Sequence, residues 1–358
     1  MPSLKEIKGR INSISSTLAI TSAMKMVAAA KLQKAQMAIQ NMLPYERRLH
    51  SMLIDLMGAM NISAAASEDG SVRGSGSAER GFDQSGDRLS LSNRHDLAGM
   101  DGAYSLMAQR EVRKVAIVAF ASNSSLCGAF NSNAIREATA VINEYRASGL
   151  GDADITVYSV GRKMAEAMKK LGFPSPADFT KMSDSPSYDA ASALAQELLD
   201  GFVSGRFDKV ELVYNHYKST SSQPTTRQTY LPLSLADATA DIQVGKITDS
   251  ASESDTNRGA EPVGAPVVRQ GSPTTEDLIV EPSKEALIAI LLPKVIRLRI
   301  FTTLLDSAAA EHAARTVAMQ LATDNGNDLL QELTLEYNKG RQQKITSEIL
   351  DLVGGSMQ

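Results

Sequence analysis

Leu4, Ile7, Ile11, Ile14 and Leu18 follow one another at steps of three, four, three and four. That spacing lines up an apolar seam along one side of a helix and suits a helix that pairs with another. After a slip near Ile20–Met24 the seam resumes at Ala28, Leu32, Ala35, Ile39 and Met42, then at Leu49, Leu53 and Leu56. Ser3 and Glu6 stand at the spacing of a capping box. The pattern predicts one helix over residues 3–58, roughly 80 Å long at 1.5 Å per residue. Pro44 is its one strong breaker and is expected to kink the helix or end it early.

A second long helical pattern runs from Ser283 to about Val353 and is expected to stop at Gly354-Gly355. Pro293 lies near its start. Asp324-Asn325-Gly326 favours caps and turns, so one helix and two both remain open there. Beyond that point Leu330, Leu333, Tyr337, Ile345, Ile349 and Leu352 continue the stripe. Helices of this length need a partner for their apolar side. The economical arrangement is an antiparallel coiled coil of the two termini, with whatever lies between them attached at one end.

Between them the periodicity changes. Val115–Phe120, Ile155–Val160 and Lys209–Tyr214 read as buried strands, and Asn133–Ser148, Lys163–Leu171 and Tyr188–Ser204 as helices. Strands alternating with helices imply a small parallel open sheet, with Thr225–Leu233 as an antiparallel edge strand. The expected fold class is therefore α/β: a long antiparallel coiled coil plus a central Rossmann-like open-sheet domain. The boundaries read as a helix over 1–60, a Gly/Ser-rich insert over 61–113, the α/β domain over 114–233, an acidic insert over 234–280 and a second helix over 281–358.

Charge and composition exclude several classes. The net charge is −4 and the pI about 5.7, which does not indicate whole-chain nucleic-acid binding. The first sixty residues carry eight Lys/Arg against three acids. A solvated face, a nucleic-acid stripe or a helix passing acidic partner surfaces would each account for that bias. The bases neither cluster nor interleave with aromatics, which argues against the second. The single cysteine, Cys127, rules out an intramolecular disulfide and fits a reducing compartment. The N-terminus lacks a signal-peptide core, and no apolar run reaches membrane-spanning length.

No phosphate loop, dinucleotide fingerprint or nucleophile elbow occurs, and His50, His95, His216 and His312 are far apart. No cofactor or metal is expected. The best local candidate for chemistry is the polar loop Ser122–Asn131 after the first strand, where open α/β sheets bind ligands. Its Cys127 has no neighbouring histidine to activate it. A structural turn is favoured over a nucleophile.

Three segments resemble the gamma subunit of F-type ATP synthases. The first is Leu4-Lys-Glu-Ile-Lys-Gly-Arg-Ile11 with Ala19-Ile-Thr-Ser-Ala-Met-Lys-Met-Val-Ala-Ala-Ala-Lys-Leu-Gln-Lys-Ala35. The second is Glu311-His-Ala-Ala-Arg-Thr-Val-Ala-Met-Gln-Leu-Ala-Thr-Asp-Asn-Gly326, continued by Leu335–Ile349 and ending at Val353-Gly-Gly355. The third is Leu126-Cys-Gly-Ala-Phe-Asn131. The resemblance implies a non-catalytic rotor shaft whose paired helices stand inside a ring of alpha and beta subunits. Its α/β domain, with the epsilon subunit, would rest on the membrane ring of c subunits. Ion-driven turning of that ring would drive the catalytic sites through their affinity changes and regulate ATPase activity and proton flow. The place implied is the cytoplasmic face of a bacterial plasma membrane, held peripherally.

The resemblance also assigns positions. Met24 matches a methionine facing a beta subunit; Arg315, Gln342, Thr346 and Glu348 match polar positions that touch the catalytic ring; Glu281 matches the foot on the c ring. Without it, Met24 reads as coiled-coil core and Gln342, Thr346 and Glu348 as a solvated helix face. Two departures stand out. Asn123-Ser-Ser125 replaces a charged, glycine-containing run, and both inserts are longer than usual. The acidic insert is expected to contact epsilon or restrain rotation. Readings from other classes are a coiled-coil scaffold with a Rossmann-like ligand domain and a small α/β enzyme using Cys127.

Overall fold

The computed structural model describes residues 3–59, 106, 109–233, 281 and 284–356. Most of both predicted inserts, and with them the expected role of the acidic one, lies outside the described residues. Helix α1 spans Leu4–Ala59 and helix α6 spans Lys284–Ser356, the latter about 110 Å long at 1.5 Å per residue. Between them come β1 (Val115–Phe120), α2 (Phe130–Ala147), β2 (Ile155–Val160), α3 (Arg162–Lys170), α4 (Thr180–Asp184), α5 (Tyr188–Val203), β3 (Lys209–Asn215) and β4 (Thr225–Leu231).

The sheet has the order β2-β1-β3-β4, with β1 parallel to β2 and β3, and β4 antiparallel at the edge. Alternation along β1 divides the core into two layers. Val115, Ile117 and Ala119 face α2 and α3, packing on Val141, Ile142, Met164 and Met168. Ala116, Val118 and Phe120 face α5, α6 and the end of α1. The open-sheet expectation holds, including the antiparallel edge strand.

The terminal helices pair antiparallel. Leu4 packs on Gly340, Leu18 on Gly326, and Thr21 and Thr323 share a 3.2 Å hydrogen bond. Each step forward on α1 is thus a step back on α6, and the register is constant from Leu4 to Thr21. Two breakers behave differently from their local propensity. Pro44 neither ends α1 nor separates it from α6, although a mid-helix proline costs about 3 kcal/mol. Beyond it Leu49, Leu53 and Leu56 are buried in the main core and hold the helix in place. At Asp324-Asn325-Gly326 α6 is continuous, because Gly326 faces Leu18 and Asp324 accepts hydrogen bonds from Gln320 Nε2. The helix also passes through Gly354-Gly355, the expected stop, to Ser356.

Candidate functional site

Where an open α/β sheet ordinarily binds a ligand, at the carboxyl ends of its strands, α6 lies across the edge. Leu304, Ser307, Ala308 and Glu311 close over Phe120, Ala121 and Val160, leaving a cavity of about 10 Å³. That is room for about one water, against the several hundred Å³ of a small-molecule site. A shallower cleft of about 430 Å³ lies at the β2 edge, lined by Ser159, Lys169, Ser175, Asp178 and Phe179 among others. Among the described residues no group of three or more His, Cys, Asp or Glu could hold a metal ion.

Cys127 is buried against Phe130 and Ala310, under the crossing of the loop and α6. Asn131 Nδ2 donates to its Sγ at 3.1 Å, and Asn131 Oδ1 accepts from Ser122 N and Oγ at 3.0 Å each. Those bonds lock the loop and hold Leu126, which is exposed, at a φ of 67° in the left-handed region. Asn123 ties the loop to the next two elements, accepting from Arg162 N at 2.7 Å and donating to Thr180 O at 2.7 Å. The thiol is a buried, hydrogen-bonded part of the loop's packing.

The outward surface of the helix pair is unusual in another way. Towards the start of α1 the helices pair, among the described residues, with each other alone, yet Ile20, Met24, Met26 and Val27 on α1 and Leu321 and Leu329 on α6 are exposed. Past Gly340, where Leu4 contacts α6, that helix continues for another sixteen residues, about 24 Å, beyond the described part of α1. Ile345, Ile349, Leu350, Leu352 and Val353 are all exposed there, Leu352 at 74%. Exposed apolar side chains in such numbers mark a surface covered by a partner.

The residues singled out by sequence fall into three places. Met24 is 39% exposed on the outer side of the pair, not sealed in its seam. Gln342, Thr346 and Glu348 lie exposed on the unpaired tip, where Lys344 stands 3.7 Å from Glu348. Glu281 is exposed just before α6 begins, at the opposite end of that helix from the tip. Arg315 differs from these. It is half-buried, paired with Glu311 at 2.8 Å and donating to Ser124 Oγ at 2.7 Å, so it joins α6 to the Ser122–Asn131 loop within this chain. Burial pushes the Glu311 carboxyl up against the pull of Arg315, while burial, Arg315 and Lys31 push the His312 imidazole down to about 4.

Sequence reasoning passed over a further set at the same level. Tyr217, in the β3–β4 connection, reaches both long helices, through Gln36 on α1 and Asp306 on α6. Neither the spacing nor the residue types signal it, since its two partners are 181 and 89 positions away in sequence.

A model of the ATP synthase family matches residues 3–357. The ATP synthase gamma chain of Phocaeicola vulgatus is 47% identical over 357 residues, covering 100% of both chains. The chain belongs to the ATP synthase gamma-chain family. The gamma chain of Bacteroides thetaiotaomicron is 45% identical over the full length of both chains, and that of Flavobacterium psychrophilum 35% over 99% of this chain and 98% of its own. Among solved structures, the rotor of Euglena gracilis mitochondrial ATP synthase aligns with a TM-score of 0.51 at 19% identity, covering 96% of this chain and 98% of its own. A second Euglena gracilis structure, of the OSCP/F1/c-ring assembly, gives a TM-score of 0.52 at 19% identity over 99% of this chain and 93% of its own. At that identity these two speak for the gamma-chain fold. No helix among the described residues is long and apolar enough to cross a membrane.

Proposed function

We propose that this chain is the central rotor shaft of an F-type ATP synthase. It carries ion-driven rotation from a membrane ring of c subunits to catalytic sites on surrounding alpha and beta subunits, and regulates ATPase activity and proton flow. The observation that carries this reading is the protruding helix pair with its exposed apolar surface, in a chain of the gamma-chain family. A shaft must be stiff, must leave its surface free for partners, and must present different faces to the subunits around it. An antiparallel pair that ends in a single helix supplies that asymmetry. Coupling then follows from differential contact: whichever catalytic subunit faces a given side of the shaft is held in the conformation that side fits best.

On this reading Met24 and the tip residues Gln342, Thr346 and Glu348 contact the catalytic ring. Arg315 supports that contact by fixing α6 to the loop at Ser124. Glu281 meets the c ring, and the α/β domain sits with epsilon outside the catalytic cavity. The chain has no catalytic site of its own, and it is held peripherally at the cytoplasmic face of the bacterial plasma membrane.

Truncation after Gln342 tests the reading in the assembled complex. ATP-driven proton pumping is expected to fall relative to ATP hydrolysis, while the α/β domain keeps its cooperative unfolding. Full coupling in a complex whose gamma chain lacks both protruding helices would refute it.

A further inference from the structure

Further out along α6 Arg315 bonds to the loop at Ser124, but the α/β domain ties to both helices at once at the level of Gln36 on α1 and Asp306 on α6. Tyr217 occupies the angle between them. Its main-chain N donates to Asp306 Oδ1 at 2.9 Å, and Gln36 Nε2 donates to its hydroxyl at 2.7 Å. Tyr217 packs on the cluster of Leu32, Ala309 and Ala313 on the helix side and on the cluster of Cys127, Phe130 and Ala310 where the domain meets α6. His216 Nδ1 lies 2.7 Å from the other oxygen of Asp306, so one carboxylate holds two successive residues of the connection. Behind them, Asn215 Nδ2 donates to Phe130 O at 3.1 Å, anchoring the end of β3 to the start of α2.

We infer that Tyr217 is a torque key: it fixes the angle between the α/β domain and the helix pair where the domain is bonded to both helices at once. This rests on the rotor-shaft reading and adds to it the path by which twist passes from the domain to the shaft. Twist about the helix axis acts sideways on this junction, and a residue wedged between two helices, bonded to one through its hydroxyl and to the other through its main-chain N, resists it in either direction. The Arg315–Ser124 bond holds α6 alone, and packing deeper in the core holds the helices below the junction. A loosened key lets the shaft lag behind the domain without changing either fold.

The test uses the complete complex with its catalytic ring immobilised and stalled, and a bead on the domain through Glu166→Cys on the exposed side of α3. The variance of bead angle within a dwell reports the torsional stiffness. Tyr217→Phe and Gln36→Met remove the same hydrogen bond, so each is expected to raise the variance by about the same factor, and the double variant no further. Tyr217→Ala, which also removes the wedge, is expected to at least double it. Val141→Ala, in the layer between the sheet and α2, lowers thermal stability but leaves the variance unchanged. Wild-type variance in Tyr217→Phe and Gln36→Met complexes overturns the inference, as does equal widening in Val141→Ala. A wild-type complex in which, released from the stall and given ATP, the domain does not turn against the catalytic ring would instead refute the rotor reading itself.

Discussion

Leu18 of α1 fills the place that a side chain at Gly326 of α6 would take: a Cβ built on Gly326 would lie 2.6 Å from Leu18 Cδ2 and 3.1 Å from its Cγ. At Gly340 the equivalent Cβ would meet Leu4 Cδ2 at 3.1 Å, near the free end of α1. The two glycines allow the helices to approach to different degrees, and their substitutions are expected to differ in sign. Alanine in a helix interior gains about 1 kcal/mol over glycine, while overpacking costs about 1–3 kcal/mol. Gly326→Ala is expected to lose about 1 kcal/mol net, recovered in part by Leu18→Ala, and Gly340→Ala to gain about 0.5 kcal/mol. Urea unfolding of the three variants, followed by circular dichroism, decides this. Equal effects at both glycines would contradict the packing argument.

Glu211, 1% exposed on β3, accepts from Tyr145 Oη at 2.6 Å, Lys209 Nζ at 2.7 Å and Arg227 Nε at 2.7 Å. Burial pushes its carboxyl up, but the bonds from Arg227, Lys209 and Tyr145 outweigh it and hold the group below its ordinary value. A depressed carboxyl adds stability that is complete above its unfolded value and is lost as the pH falls through the lower folded one. Glu211→Ala is expected to cost about 3 kcal/mol, the low end for breaking a buried pair, because Lys209 and Arg227 keep some access to water. Its cost should shrink as the pH falls below about 4.3, the unfolded value, and on through the lower folded one. Denaturant midpoints of wild type and variant across pH 3–7 measure both.

His216 responds in the opposite direction. The hydrogen bond to the Asp306 carboxylate raises its imidazole above the ordinary 6.5, against the opposing effects of burial and Lys218. A raised group adds stability that is complete below its unfolded value and disappears as the pH rises through the folded one. Wild type is therefore expected to lose stability relative to His216→Asn as the pH rises from about 6.5. Parallel stability curves from pH 6 to 9 would rule this out.

Cys127→Ala removes a buried sulfur from between Phe130 and Ala310. Loss of about 1 kcal/mol of stability is expected, with ATP hydrolysis and its coupling to proton transport unchanged. A complex that assembles normally but has lost its ATPase would revive a chemical role for the thiol.

The long helices, their apolar stripes and the sheet with its antiparallel edge were legible in the sequence because each is a local periodic signal. Leu4 to Leu18 alone predicted a helix that needs a partner, and Val115–Phe120 a strand buried on both faces. The blocks around Met24 and Arg315 and the stretch from Leu335 to Ile349 pointed to the gamma-subunit family, because residue identities survive where geometry cannot be read. Local propensity misjudged a helix end at Pro44, Gly326 and Gly354-Gly355, and at the first two the reason is visible. A buried stretch of α1 beyond Pro44 and the close approach of Leu18 to Gly326 come from tertiary contacts, which outweigh a single residue's preference. Arg315 facing inward to Glu311 and Ser124, and Tyr217 wedged between Gln36 and Asp306, were decided only by the tertiary structure. Their partners are brought together by the crossing of α6 over the sheet, and chain spacing carries no trace of a contact between residues so far apart in sequence.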